Sequence, residues 1–154
     1  MTLNPRIPLT LALLLSAQAM ASGNHDAWTS GYAQGTAEYT ILGKGLSQLY
    51  LACESTGSQA ATIIFTDVNG HRVSMDGGQK LTMKIDNEEE ANISESESHV
   101  GSDNVMWAWN KLRSGKRVIV SGIGVKPAVF TLKGAAAVIP EFGDNGCVPK
   151  FALP

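Results

Sequence analysis

The sequence predicts a mainly β fold, either an antiparallel β-sandwich or a curved sheet, with one short helix near residues 103–114 and a C-terminal disulfide tie. Three observations predict this fold. Short stretches alternate apolar and polar residues and are separated by turn-forming residues. One later segment repeats its apolar residues at helical spacing. The only two cysteines, Cys53 and Cys147, lie near the two ends of the strand-rich region.

The N-terminus, residues 1–21, has the features of a secretory signal peptide. Residues 1–6 carry one positive charge, residues 7–15 are apolar apart from Thr10, and small residues follow at cleavage spacing. We expect cleavage after Ala21, with the bond after Ala19 as second choice. No apolar run reaches the roughly 20 residues of a membrane helix. We therefore expect a periplasmic or secreted protein with no membrane span.

The two cysteines are expected to form a disulfide, because an oxidising compartment allows thiols to pair and stay paired. Closing a loop of about ninety residues removes on the order of 4 to 5 kcal/mol of entropy from the unfolded state. A redox enzyme would more commonly carry a C-x-x-C pair. We therefore predict a structural role for the Cys53–Cys147 bond.

Residues 22–37 are rich in small polar residues and predict a loose N-terminal lead-in before a single β-rich domain over residues 38–154. Within that domain, residues 46–53 alternate as a strand does and place Cys53 on the core side. The pair Asn69-Gly70 lies between two further β-like runs and is a strong hairpin signal. Together with a third run over residues 80–85, these runs predict a three-stranded meander.

Residues 86–101 are acidic and rich in serine, and they predict a long loop or a ragged edge strand. The segment that follows allows two interpretations. Trp107 and Trp109 alternate with Val105 as in a strand, whereas a helix would place Val105, Met106, Trp109 and Leu112 on one face. Helix is favoured, because residues 110–113 continue the helical pattern and Gly115 supplies a stop. Ser102 and Asp103 are the expected cap. Two last strands are predicted over residues 117–123 and 128–132.

The net charge of −2 argues against a general nucleic-acid-binding function. Acidic residues concentrate in residues 86–103, and basic residues concentrate in residues 111–133. One interpretation is a molecule with two oppositely charged faces. The other is a set of solvated loops that neutralise each other across the fold.

Aromatic residues beside basic ones form the most distinctive grouping in the chain, and this composition is typical of protein contact sites. We assign a partner-contact role to Trp28, Tyr32, Trp107, Lys111, Arg113, Lys116 and Arg117. The alternative is that the tryptophans are core residues and the basic residues are ordinary surface.

No catalytic, metal-binding or cofactor-binding motif is recognisable, so we predict no catalytic residue, no metal ligand and no cofactor. His25, His71 and His99 are not at metal-ligand spacing. Residues 67–70 resemble the opening of a calcium loop but lack the acidic residue required downstream. Two alternatives stay open: a small enzyme that uses His71 or His99, and a metal or ligand carrier that uses residues 86–103.

Two short segments carry a family resemblance: Leu-Tyr-Leu-Ala-Cys at residues 49–53 and Phe-Thr-Leu-Lys-Gly-Ala-Ala-Ala at residues 130–137. With the signal peptide, they resemble the invasion-associated locus B family of small exported bacterial proteins. The resemblance implies a β-rich periplasmic protein and brings no catalytic residues with it.

The expected function is therefore that of a non-enzymatic binding or accessory protein in the bacterial envelope. It would act by contact with an envelope or secreted protein in secretion, transfer or invasion. Inhibition of a secreted hydrolase is the alternative within the same class.

Overall fold

The computed structural model describes residues 23–154, so the predicted signal peptide and its cleavage site lie outside the described residues. The described chain contains nine strands in two antiparallel sheets, one helix of 16 residues and two shorter helical segments. This architecture confirms the predicted mainly β fold. No helix within residues 23–154 combines the length and apolar character needed to cross a membrane.

The first sheet has five strands that follow one another in chain order. They are β1 (Thr29–Ala33), β2 (Thr36–Leu42), β3 (Gln48–Glu54), β4 (Thr62–Thr66) and β5 (Arg72–Ser74). The second sheet comprises β6 (Leu81–Ile85), β7 (Ala91–Asn92), β8 (Arg117–Gly122) and β9 (Val125–Thr131), in the order β7-β6-β8-β9. Helix α1 (His99–Ser114) connects β7 to β8, and α2 (Ala135–Val138) and a 3₁₀ turn (Lys150–Ala152) follow β9.

Both sheets contribute side chains to one apolar core. Phe65 of β4 and Phe130 of β9 are buried and meet edge to face, with ring centroids 6.1 Å apart. Alternate residues of β6, namely Leu81, Met83 and Ile85, are buried as their spacing predicts. The disulfide Cys53–Cys147 is present and buried, and it joins β3 to the C-terminal segment across a sequence separation of 94.

The predicted loose lead-in over residues 22–37 is wrong. These residues include β1 and the first residues of β2, which form a hairpin whose turn places Gln34 at φ 50° and Gly35 at φ 81°. Both turn residues therefore adopt the left-handed conformation that matches the twist of a tight hairpin. Glutamine is an uncommon residue at such a position, and β1 contains Ser30 and Gly31, so the sequence carries little signal for this hairpin.

The predicted meander is correct for its first two strands and wrong for the third. β4 and β5 form the expected hairpin around Asn69-Gly70. β6 instead begins the second sheet, because the turn at Asp76 is held by another segment. The Asp76 carboxylate accepts hydrogen bonds from the backbone N–H and the hydroxyl of Ser96, and the Asp76 N–H donates to the carbonyl of Ser94.

Helix α1 confirms the helical interpretation over the strand, but it begins at His99 rather than at Asp103. Ser98 is the N-cap residue, since its hydroxyl accepts a hydrogen bond from the Gly101 N–H at 2.9 Å. The buried face carries Val105, Ala108, Trp109 and Leu112. Met106 was predicted for that face and is instead 44% exposed.

Candidate functional site

The outer face of α1 carries a shallow groove of about 340 Å³, which we call the α1 groove. Its lining residues are Met106, Trp107, Asn110, Lys111 and Ser114. These positions recur at the three- and four-residue spacing that places side chains on one side of a helix. Because the opposite face of α1 is buried in the core, the groove is held in a fixed orientation.

Trp107 and Lys111 form the centre of the α1 groove. The Lys111 ammonium lies 5.7 Å from the centroid of the Trp107 ring, within the range of a cation–π contact. The same ammonium is 3.0 Å from a carboxylate oxygen of Glu88. Trp107 is partly buried against the core and partly exposed, as the helical spacing predicts. An exposed methionine, an aromatic ring and a positioned cation therefore share one small surface.

Arg113 is engaged inside the molecule. Its Nε donates to the carbonyl oxygen of Ile139 at 2.9 Å, and its Nη1 lies 3.2 Å from a carboxylate oxygen of Glu141. These two contacts join the last turn of α1 to the segment after α2. Arg113 was predicted as a partner contact, and its geometry assigns it to holding α1 in place.

Lys116 and Arg117 lie in the turn after α1 and at the start of β8, and both are exposed. Their backbone N–H groups donate to the carboxylate of Asp86, which fixes the turn. Within residues 23–154, neither side chain forms an ion pair. Their charges therefore face solvent beside the C-terminal end of α1.

Trp28 does not belong to an exposed contact surface, which corrects its predicted role. The side chain is 4% exposed, and its indole N–H donates to the carbonyl oxygen of Thr131 at 3.0 Å. Burial of the ring and satisfaction of its polar atom give it a structural role. Tyr32 is 68% exposed on β1, with its hydroxyl 3.4 Å from the Ser55 hydroxyl.

The structure thus brings Trp107 and Lys111 together and places Lys116 and Arg117 just beyond the same helix. Met106, Asn110 and Ser114 also line the groove and were not predicted as contact residues. Their spacing along α1 is the signal that could have identified them. The sequence prediction instead placed Met106 on the buried face of the helix.

The acidic and basic segments contact each other in part. Glu88 pairs with Lys111, and Glu97 pairs with Lys150 near the C-terminus. Glu95 accepts hydrogen bonds from the Ser98 hydroxyl, the Ser98 N–H and the Glu97 N–H, which lower the pKa of its carboxyl group. Part of the acidic segment, residues 86–103, is therefore bound by donors from its own backbone and by Lys111 and Lys150.

His71 lies beside a buried carboxylate. Its Nδ1 is 3.3 Å from Asp67 Oδ2, and Asp67 also accepts from the backbone N–H groups of Lys126, His71 and Asn69. These bonds, led by that from Lys126, lower the pKa of Asp67 to about 2. Asp67 therefore acts as an anchor that ties the β4–β5 turn to the start of β9.

His99, the other candidate catalytic histidine, is the first residue of helix α1. Its ring lies against the ring of Phe151, with centroids 4.3 Å apart. Within residues 23–154, the Asp67 carboxylate is the hydrogen-bond partner of the His71 ring. No group of three or more His, Cys, Asp or Glu side chains in this part of the chain is arranged to hold a metal ion.

The chain matches a known protein family. No curated protein and no solved structure matches the chain. A family model described as YfjT matches residues 26–139. The matched region begins before β1 and ends after α2, so it includes both sheets and α1. The chain belongs to the YfjT family.

Proposed function

We propose that this protein is a non-enzymatic binding or accessory protein of the bacterial envelope, and that it contacts an envelope or secreted protein through the α1 groove. The observation that carries the proposal is the position of Met106 and Trp107 beside Lys111 on the outer face of a helix whose inner face is buried. Tryptophan, methionine and a basic residue are characteristic of contact surfaces.

The groove is rigidly supported from below. The Trp109 indole N–H donates to the carbonyl oxygen of Pro140 at 2.9 Å, and the Asn110 side-chain oxygen accepts from the Phe142 N–H at 3.0 Å. Together with Arg113, these bonds fix α1 to the C-terminal segment. A surface that is already ordered loses less conformational entropy when it binds, and this favours affinity.

Charge indicates the kind of partner. Lys116 and Arg117 are exposed near the end of α1 and form no ion pair within residues 23–154, whereas Lys111 is paired with Glu88 in the groove. An acidic surface would be steered towards this region, since complementary charges mainly raise the rate of association. We therefore propose a protein partner with a negatively charged contact region.

The proposed location is the periplasm or the exterior of the cell. The N-terminal residues 1–21 have the pattern of a secretory signal peptide. A buried disulfide between the only two cysteines suits an oxidising compartment. Both observations support export, and neither depends on the groove.

Affinity capture from a periplasmic extract tests the proposed function. The wild-type protein is expected to retain a specific partner, and the Met106→Glu and Lys111→Glu variants are expected to lose it. Tyr32→Ala is the matched control, because it removes an exposed aromatic side chain from β1. Far-ultraviolet circular dichroism verifies that each variant is folded. Retention by the α1 variants together with loss in Tyr32→Ala would contradict the proposal.

A further inference from the structure

A second surface lies where three segments of the fold meet: residues 43–47, residues 67–72 and residues 126–129. We call it the basic loop end. The Leu46 N–H donates to the carbonyl oxygen of Val68 at 3.2 Å, which joins the first two segments. The Lys126 N–H donates to Asp67 Oδ2 at 2.9 Å, which joins the second and third. A groove of about 400 Å³ lies among them, with Lys44, Val68, Lys126 and Val129 in its lining.

The charge of this surface has one sign. The three segments contain Lys44, Arg72 and Lys126, all exposed, and their only acidic residue is Asp67. The Asp67 side chain is fully buried, and its oxygens accept hydrogen bonds from neighbouring N–H groups. Among the ion pairs of residues 23–154, none involves Lys44, Arg72 or Lys126. The exposed cations are therefore available to an anionic ligand.

Apolar side chains are exposed among these cations. Leu46 is 66% exposed in the β2–β3 turn, and Val129 is 52% exposed on β9. Leu46 lies two residues from Lys44, and Val129 lies three residues from Lys126. Exposed aliphatic residues within a rim of lysines are typical of surfaces that rest on a membrane interface.

The exposed apolar side chains favour a lipid surface over an acidic peptide. An exposed leucine such as Leu46 needs a matching recess in a protein partner, whereas a bilayer accepts it without a preformed pocket. Lysine stems also lie along apolar surface while their ammonium groups stay at the level of the lipid headgroups. Anionic headgroups attract each basic residue near the surface.

We propose that the basic loop end binds the surface of an anionic phospholipid bilayer, with Leu46 entering the interface and Lys44 and Lys126 contacting headgroup phosphates. This peripheral contact goes beyond the proposed partner binding and uses different residues. Membrane attachment would concentrate the protein in the layer where an envelope partner resides.

Vesicle flotation tests the proposal with protein purified in its exported form, after intact mass has verified that the signal peptide is absent. Binding is compared between vesicles of phosphatidylcholine alone and vesicles that also contain phosphatidylglycerol. We expect binding only to the second kind. The Lys44→Gln/Lys126→Gln double variant is expected to bind about thirtyfold more weakly, because each basic residue near an anionic surface contributes about fivefold. Leu46→Ser should weaken binding by about tenfold.

The matched control is Lys116→Gln/Arg117→Gln, which removes the same net charge outside the basic loop end and should leave binding nearly unchanged. Equal losses in the two double variants would overturn the proposal, because they would show general charge attraction. Absence of binding to the phosphatidylglycerol vesicles would also overturn it. Binding of soluble polyglutamate without binding of vesicles would reassign the surface to an acidic peptide.

Discussion

The indole N–H of Trp109 donates a hydrogen bond to the carbonyl oxygen of Pro140 across 2.9 Å, and this bond connects the buried face of α1 to the C-terminal segment. Trp109 is completely buried, and its ring lies 5.3 Å from that of Phe142. The neighbouring tryptophan, Trp107, faces the other way and lines the α1 groove. The two tryptophans that flank Ala108 therefore have different roles.

Trp109→Phe is expected to lower the free energy of unfolding by about 1 to 3 kcal/mol, because the substitution removes a hydrogen bond and leaves a partly filled cavity. Trp107→Phe, at a partly exposed site, should change it by less than about 0.5 kcal/mol. Urea denaturation measures both values. Equal effects of the two substitutions would contradict the burial described for α1.

Loss of the Cys53–Cys147 disulfide should destabilise the folded protein. Replacement of both Cys53 and Cys147 by alanine should lower the free energy of unfolding by about 2 to 5 kcal/mol, because the bond closes a long loop in the unfolded chain. Urea denaturation of the oxidised and double-alanine proteins gives the difference. Alkylation of the native protein followed by intact-mass measurement is the control, and two modified thiols would contradict the pairing.

Some features could be predicted from the sequence because their cause is local or because no alternative existed. Asn69-Gly70 predicts its hairpin, since the turn chemistry is contained in two residues. The disulfide follows from the presence of only two cysteines in a chain with a predicted signal peptide. The helical interpretation of α1 follows from the spacing of Val105, Trp109 and Leu112.

Other features depend on contacts between distant residues, and sequence patterns do not contain those contacts. β6 leaves the first sheet because Asp76 binds Ser96, which lies 20 residues further along the chain. The burial of Trp28 depends on Thr131 at the other end of the domain. Likewise, the exposure of Met106 in the α1 groove depends on which face of α1 packs against the rest of the fold.

Stability should decrease in acid because of Asp67. The pKa of this carboxyl group is lowered from 3.8 to about 2 in the folded protein. A depressed pKa stabilises the fold above the unfolded-state value, and the stabilisation is lost as the pH falls from about 4 towards 2. Asp67→Asn should therefore be less stable than wild type at neutral pH and show a smaller decrease in acid.

Urea denaturation at a series of pH values measures this effect of Asp67. Asp144→Asn is the control, because Asp144 is exposed and forms no ion pair within residues 23–154. A variant Asp67→Asn with the same pH dependence as wild type would contradict the role of Asp67 as an anchor. The pKa of the Glu54 carboxyl group is also lowered to about 2, chiefly by a hydrogen bond from the Thr56 hydroxyl. We expect Glu54 to account for part of the loss of stability in acid that remains in Asp67→Asn.

Charge near α1 should control the rate at which a captured partner associates. Lys116→Glu/Arg117→Glu is expected to slow association by at least about tenfold at low salt, and the difference should diminish at physiological salt. Surface plasmon resonance at two salt concentrations measures the rates. Glu89→Lys/Glu90→Lys is the control in the acidic segment, residues 86–103. Slower association in the control alone would move the contact to that segment.

The central claim is that the α1 groove is the partner-binding surface, and site-specific photocrosslinking in intact cells tests it most directly. A photoreactive phenylalanine analogue is placed at Met106 in the groove or at Tyr32 on β1, two exposed positions on different elements. We predict one discrete crosslinked protein from position 106 that disappears when Lys111→Glu is added, and none from position 32. A crosslink that forms at position 32 alone, or one at position 106 that persists with Lys111→Glu, would contradict the claim.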